Sequence, residues 1–344
     1  MLAAPSVPKP LATDINKMAT LENYNGIPEI QSFSESFSPS NIKLRYALNT
    51  SSHVSVIQFS SSGSKIAFAD GYFLYIINSE DGEIYATLQL PTPITGNAYT
   101  YCLKFSQDDN LLAVSGPNNS IILFDVEKRT IIHTFEGHTK EVNTLIFNGN
   151  QLISSSFDSS IIVWDVKTYE VIKRLPESNN QFDSPITGMA AASGVPFFVV
   201  GFANGRIGIY DDEFVQPMIS FTGHEKDVVS VAVSQFDDCI GTSSTKEPSI
   251  KIWVVRGVAS LKQTLKGHSD YIQTITFSPK EPLVFTGSAD KTIRLWKYKT
   301  GEQIGGIKMH NEEVCCISHH PNNKVFVSCS KDGVVCVWDY ESPK

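Results

Sequence analysis

The chain has 344 residues, of which 36 are acidic and 28 basic, giving a formal net charge of −8, and 41% are hydrophobic. That balance supports a large buried core, while the acidic excess lacks the lysine and arginine footprint that neutralises duplex phosphates, which disfavours direct nucleic-acid binding. No apolar run reaches the roughly 18 residues of a membrane span, and MLAAPSVPKPLATD carries no sustained apolar stretch of the secretory kind. Cys102, Cys239, Cys315, Cys316, Cys329 and Cys336 form no CxxC pair and sit mostly in apolar, strand-like runs. They read as reduced small hydrophobes of a nuclear or cytoplasmic protein.

Residues 1–42 are rich in Pro, Ser and Asn and are expected to form an irregular arm, with Ser38-Pro39 as a weak phosphorylation motif. No heptad is sustained there, so no coiled-coil oligomerisation is evident. IKLRYALNT follows, short and β-capable.

From Val54 onward, short β-branched and aromatic runs alternate with Gly, Asp, Ser and Asn turns at a spacing of about 40 residues, the pattern of antiparallel strands. The first unit runs from VSVIQF through KIAFADG to FLYII, the second from TYCLKF through LLAVSG to SIILFD. The third opens at Gly137-His138 and passes through VNTLIF and ISSSFD to Trp164-Asp165. The fourth, ITGMAA to RIGIYD, lacks both the opening Gly-His and the tryptophan. The fifth joins Gly223-His224 to Trp253, the sixth Gly267-His268 to Trp296, and the seventh His310 to Trp338-Asp339. Four strands per unit, a Gly-His start and a Trp-Asp end make a propeller blade. From about Lys43 to Tyr340 the chain resembles the WD-repeat family, which implies an all-β, seven-bladed propeller over residues 43–344. Only six residues follow Trp338, so the seventh blade needs its outer strand from IKLRYALNT, which would pair with VVCVWDY and close the ring.

His138, Ser156, Asp158 and Trp164 contain the residue types of a catalytic triad. The set recurs as His268, Ser288, Asp290, Trp296 and as His310, Ser330, Asp332, Trp338, with His224 and Trp253 a partial copy whose Asp position holds Glu247. A triad does not come in triplicate around one chain. The resemblance implies a buried hydrogen-bonded chain from tryptophan through hydroxyl and histidine to aspartate, and those groups can satisfy one another away from water. Blades one, two and four put Phe68, Gly116 and Phe202 at the expected hydroxyl position, where apolar packing with Phe59, Phe105 and Phe197 must substitute. GxxxxGK[ST], HExxH and GxSxG motifs are absent, so no enzyme and no cofactor is expected. Cys315, Cys316, His319 and His320 suggest a metal site, but strand alternation would send neighbours to opposite faces, and no metal is expected.

Function is then expected on the face where inner strands begin. Three residues after the Gly-His histidine, or its equivalent, stand His53, Tyr99, Glu141, Pro185, Asp227, Tyr271 and Glu313. Two residues later come Ser55, Tyr101, Asn143, Thr187, Val229, Gln273 and Cys315. Before the turn aspartate come Ala69, Pro117, Phe157, Ala203, Lys246, Ala289 and Lys331. Tyr99, Tyr101, Phe157 and Tyr271 are aromatic anchors for a protein segment. Glu141, Asp227 and Glu313 would favour a basic one, and Lys331 completes the set of partner-binding candidates.

PSVPKPLATDIN, HVSVIQF, NAYTYCLKFSQDD and GHTKEVNTLIF, followed by DSPITGMAAA, resemble in order the entry segment and first four blades of the Tup family of general transcriptional corepressors. That resemblance implies docking of transcription factors or histone tails, with Tyr99 on a tyrosine position of the family. Asn143 and Val229 depart from tyrosines expected there. The other expectation is a cytoplasmic WD-repeat adaptor, a kinase or ribosome scaffold or a ubiquitin-ligase substrate receptor.

Overall fold

A computed structural model describes residues 28–91, 100–176, 182–191, 197–211 and 216–342. They form seven antiparallel sheets, six of four strands and one of five. Two short 3-10 turns, Pro39–Asn41 and Pro117–Asn119, are their helical segments, and no helix among the described residues is long and apolar enough to cross a membrane.

Each sheet is built on one sequence unit, and two of them take a further strand from the N-terminal segment. Blade three is typical, with Val142–Asn148 innermost, then Gln151–Ser156, Ser160–Asp165 and Val171–Leu175 at the rim. β-Branched runs make these strands, and aspartates end them: Asp165 Oδ1 accepts the backbone N–H of Lys167 at 2.7 Å and of Thr168 at 2.9 Å, closing the turn to the outer strand.

Blade seven closes as expected. Ile42–Asn49 lies antiparallel to Val334–Tyr340, from Ile42 opposite Tyr340 to Asn49 opposite Val334. Arg45 adds an ion pair to Asp339 across that seam. The core is divided into seven apolar clusters, each shared by two neighbouring blades. The cluster between blades seven and one joins Tyr46 and Leu48 of the closing strand to Val54 and Ile57 of the first inner strand. At about 1.5–3 kcal/mol for each fully buried large aliphatic or aromatic side chain, those contacts make closure a major share of stability.

The arm is not wholly irregular. Glu29–Ser32 pairs antiparallel with Glu302–Lys308 as a fifth strand on blade six. Phe37 is buried in the core between blades six and seven. A Cβ on Gly305 would lie 2.6 Å from the Phe37 ring, so the absent side chain of Gly305 makes the slot. Residues 1–27 lie outside the described residues.

The candidate interaction face and the buried fasteners

The repeated polar sets are interior. In blade three, Trp164 Nε1 donates to Ser154 Oγ at 2.9 Å, His138 Nε2 bonds the same oxygen at 2.8 Å, and His138 Nδ1 meets Asp158 Oδ2 at 2.9 Å. Blade six repeats this through Trp296, Thr286, His268 and Asp290, with distances of 3.0, 2.8 and 2.7 Å. In blade five Trp253, Thr242 and His224 are joined at 2.9 and 2.8 Å, and Glu247 takes the aspartate's place at 3.1 Å, with Lys251 Nζ 2.9 Å from its other oxygen. Blade seven links Trp338, Ser328 and His310 at 3.0 and 2.9 Å, but His310 Nδ1 stands 3.6 Å from Asp332, too far for a hydrogen bond.

The hydroxyls therefore differ from those expected. Ser156, Ser288 and Ser330 are not the links; Ser154, Thr286 and Ser328 are. All six share the alternation that points inward, but Trp164 pairs across the strand with Leu152, which brings its indole beside Ser154 and leaves Ser156 at the strand's end. There Ser156 Oγ donates to Lys140 O and accepts the Asp158 N–H, and Ser288 does the same with Asp270 and Asp290. Ser330 likewise accepts the Asp332 N–H. The legible signal was spacing, because the linking hydroxyl lies ten residues before the tryptophan in blades three, six and seven and eleven before it in blade five. By the same register, Phe68, Val114 and Val200 occupy the position in blades one, two and four, so Gly116 and Phe202 are not its equivalents. All three are fully buried.

The glycine of Gly-His has a packing cause. A Cβ on Gly137 would sit 2.9 Å from the Trp164 ring, and one on Gly267 3.0 Å from the Trp296 ring.

Burial works against the Asp158 carboxylate, but hydrogen bonds from His138 and Ser160 prevail and hold it at about 2. Asp290 is lowered in the same way; against the same opposition from burial, Asp332 is lowered by the nearby His310 and by the Asn311 and Val334 N–H groups it accepts, and Glu247 by Lys251 and His224. Desolvation lowers His224 and His268 despite their carboxylate partners. The strongest case is His319, which packs edge-on against Phe285 at 4.6 Å, has no hydrogen-bond partner on either ring nitrogen among the described residues, and is pushed down to about 3 by burial.

The face positions are set by two repeated backbone devices. The residue after the blade's second strand donates its N–H to the carbonyl three residues past the Gly-His histidine or its equivalent: Phe157 to Glu141, Ala203 to Pro185, Thr245 to Asp227, Ala289 to Tyr271 and Lys331 to Glu313. In blade five this residue is Thr245, so Lys246 is displaced by one. The second device is a break in strand register. Shifts after Val142, Ile186, Val228, Ile272 and Val314 leave Asn143, Thr187, Val229, Gln273 and Cys315 outside the ladder. Such bulges re-aim side chains. The alternation that would separate Cys315 from Cys316 is thus interrupted, yet no group of three His, Cys, Asp or Glu side chains among the described residues could hold a metal ion.

Two sets of face residues come together. Tyr101 of blade two is 45% exposed and meets Phe157 of blade three edge-on, with ring centroids 6.3 Å apart. Glu141, beside Phe157, and Asp227 are exposed. Across blades six and seven, Gln273 Nε2 donates to Tyr271 Oη and Glu313 Oε2 at 3.0 Å each, and Lys331 Nζ pairs with Glu313 at 2.7 Å. Burial opposes the Glu313 charge, but Lys331 and Gln273 hold its carboxyl low. Glu313 is therefore already paired within the molecule. Tyr99 lies outside the described residues.

A closed ring of four-stranded blades with these fasteners defines the WD-type β-propeller class. The signature of the "WD domain, G-beta repeat" matches residues 89–125, 129–165, 215–254, 259–297 and 301–339, more than half of the chain, and the chain belongs to that family. It is 25% identical to periodic tryptophan protein 2 of Arabidopsis thaliana over 69% of this chain and 22% of that protein. It is 24% identical to autophagy-related protein 16 of the same plant over 69% and 46%, and 27% identical to nuclear distribution protein nudF of Emericella nidulans over 56% and 48%. The chain thus spans less than half the length of these relatives. Propellers of this family generally serve as non-enzymatic scaffolds for protein interaction.

Proposed function

We propose that this protein is a non-enzymatic docking module of the corepressor kind, whose Gly-His face holds a basic segment of a transcription factor or a histone tail. One observation carries the reading: the exposed Tyr101 ring set edge-on against the half-buried Phe157, with the exposed Glu141 and Asp227 on the same face. Aromatic rings supply contact area at small entropic cost, and the two carboxylates draw a Lys- or Arg-bearing segment. Tyr271 and Lys331 stand as secondary contacts beside the internally paired Glu313. Direct nucleic-acid contact and membrane association form no part of this reading.

The test is binding of fluorescent histone-tail peptides, with capture from nuclear extract alongside. The expected result is saturable binding that Tyr101→Ala with Phe157→Ala weakens at least tenfold, about 1.4 kcal/mol. A second reading, a cytoplasmic adaptor, is favoured by the relatives named for autophagy and nuclear distribution. It gains if the same face captures cytoplasmic complex subunits and no chromatin protein. Binding undiminished by the double substitution would place the site elsewhere.

A further inference from the structure

The centre of the ring holds a cavity of about 1020 Å³, walled by residues of all seven inner strands. Its lining extends to Ser61, Gln107, Asn148, Gln235 and Pro279, which follow or end inner strands. It therefore opens on the face opposite the Gly-His positions. The chain carries an excess of eight negative charges, yet no Asp or Glu is among the described residues that line this space, and Lys104 is their only Lys or Arg.

Lys104 lies on Leu103–Phe105, the inner strand of blade two. In the orientation that satisfies its carboxamide, Gln58 of blade one accepts from Lys104 Nζ at 2.8 Å and donates to Leu103 O at 2.8 Å. That neutral oxygen is one acceptor for an ammonium with three N–H groups. No carboxylate pairs with Lys104 among the described residues, and burial pushes its ammonium down from the ordinary lysine value. Lys104 is half-buried, and a charge drawn even partly out of water is ordinarily paired. With no carboxylate among the described residues that line the space around Lys104, the counter-charge is left to come from outside.

We propose that the central channel is a binding site for a small oxyanion, a carboxylate or phosphate group, held by the Lys104 ammonium with carboxamides at the channel mouth. Gln107, Asn148 and Gln235 supply N–H donors at that mouth. The cavity has room for a ligand far larger than a water, whose share of liquid volume is roughly 30 Å³. One cation inside a negatively charged molecule suits a small ion of low charge rather than a polyanion.

The experiment measures thermal shifts and calorimetric binding with three probes at ionic strength fixed by sodium chloride: inorganic phosphate, succinate, and a capped Gly-Glu-Gly peptide. A saturable rise in melting temperature is expected with at least one probe. Lys104→Arg should retain it, and Lys104→Met should reduce affinity at least tenfold. A response to phosphate or succinate identifies a free ion; a response to the peptide alone identifies a carboxylate carried on a chain. Without any probe, Lys104→Met should melt no lower than the parent, because it removes a half-buried charge that no carboxylate of the described residues offsets, and this shows that the variant folds. Absence of a saturable response in the parent protein, or an equal response in Lys104→Met, would overturn the proposal. The docking face lies at the other end of the ring, so that outcome leaves it untouched.

Discussion

Ser154 and Ser156 differ by two positions on one strand, point to the same side, and do different work. Ser154 Oγ bridges indole and imidazole inside blade three, whereas Ser156 ties the turn at the blade's end. Ser154→Ala strands both Trp164 Nε1 and His138 Nε2, and by about 1–3 kcal/mol for each unsatisfied buried group it should lower the unfolding free energy more than Ser156→Ala does. Urea denaturation of the two variants checks the order. The Gly-His and Trp-Asp landmarks were legible because each recurs beside a residue type seldom used otherwise. The hydroxyl was not, because residues 154–156 are all serine and only the cross-strand pairing decides which one the indole meets.

The histidines give this interior a pH signature. His224, His268 and His319 are lowered in the fold below the ordinary value of 6.5, so below that pH the unfolded chain binds protons that the folded chain refuses. Stability is present above pH 6.5 and falls as the solution is acidified, and for His319 the loss runs down to about 3. The lowered aspartates act with the same sign from about 3.8 downward, to about 2 for Asp158. Melting temperature recorded from pH 8 to 4 should drop below pH 6.5, and His319→Phe should flatten the descent. A profile flat through pH 5 would contradict the burial of these rings.

Among the elements, the closing strand and the strand added to blade six differ in weight. Ile42–Asn49 joins blade seven over its full length and feeds two core clusters through Ile42, Ala47, Tyr46 and Leu48. Glu29–Ser32 adds only four paired residues, with Phe37 as its buried anchor. Removing residues 1–50 should therefore abolish cooperative unfolding or lower the melting temperature far more than removing 1–30, which spares Phe37. Calorimetry of both truncations decides this. The closing strand was readable because the seventh unit visibly lacked one. The strand on blade six was not, since its partner lies about 270 residues away in sequence and a Ser-rich context carries no period-two signal. The bulges that aim Asn143, Thr187, Val229, Gln273 and Cys315 were equally hidden, because an extra residue inside an apolar run leaves the composition unchanged.

Taken as a whole, the molecule separates its polar chemistry by location. Hydroxyl–imidazole–carboxylate sets sit inside four blades, apolar residues replace them in the other three, and Tyr101, Glu141 and Asp227 stand exposed on the Gly-His face. Repetition around the ring is what made the interior sets readable as building devices. The Gly-His face has no such internal copy, so sequence could mark candidate positions there without showing which ones meet. The structure brings Tyr101 to Phe157 across a blade boundary and shows Glu313 already taken by Lys331.

The most direct test crosses the two sets in one experiment. Melting temperature and histone-peptide affinity are measured for the parent chain, Ser154→Ala, and Tyr101→Ala with Phe157→Ala. Ser154→Ala should lower the melting temperature and leave the affinity of the folded fraction unchanged, while the face variant should lose at least tenfold in affinity with its melting temperature intact. If Ser154→Ala instead weakens binding at temperatures where it is fully folded, the interior sets belong to the binding site, and the division between fasteners and face fails.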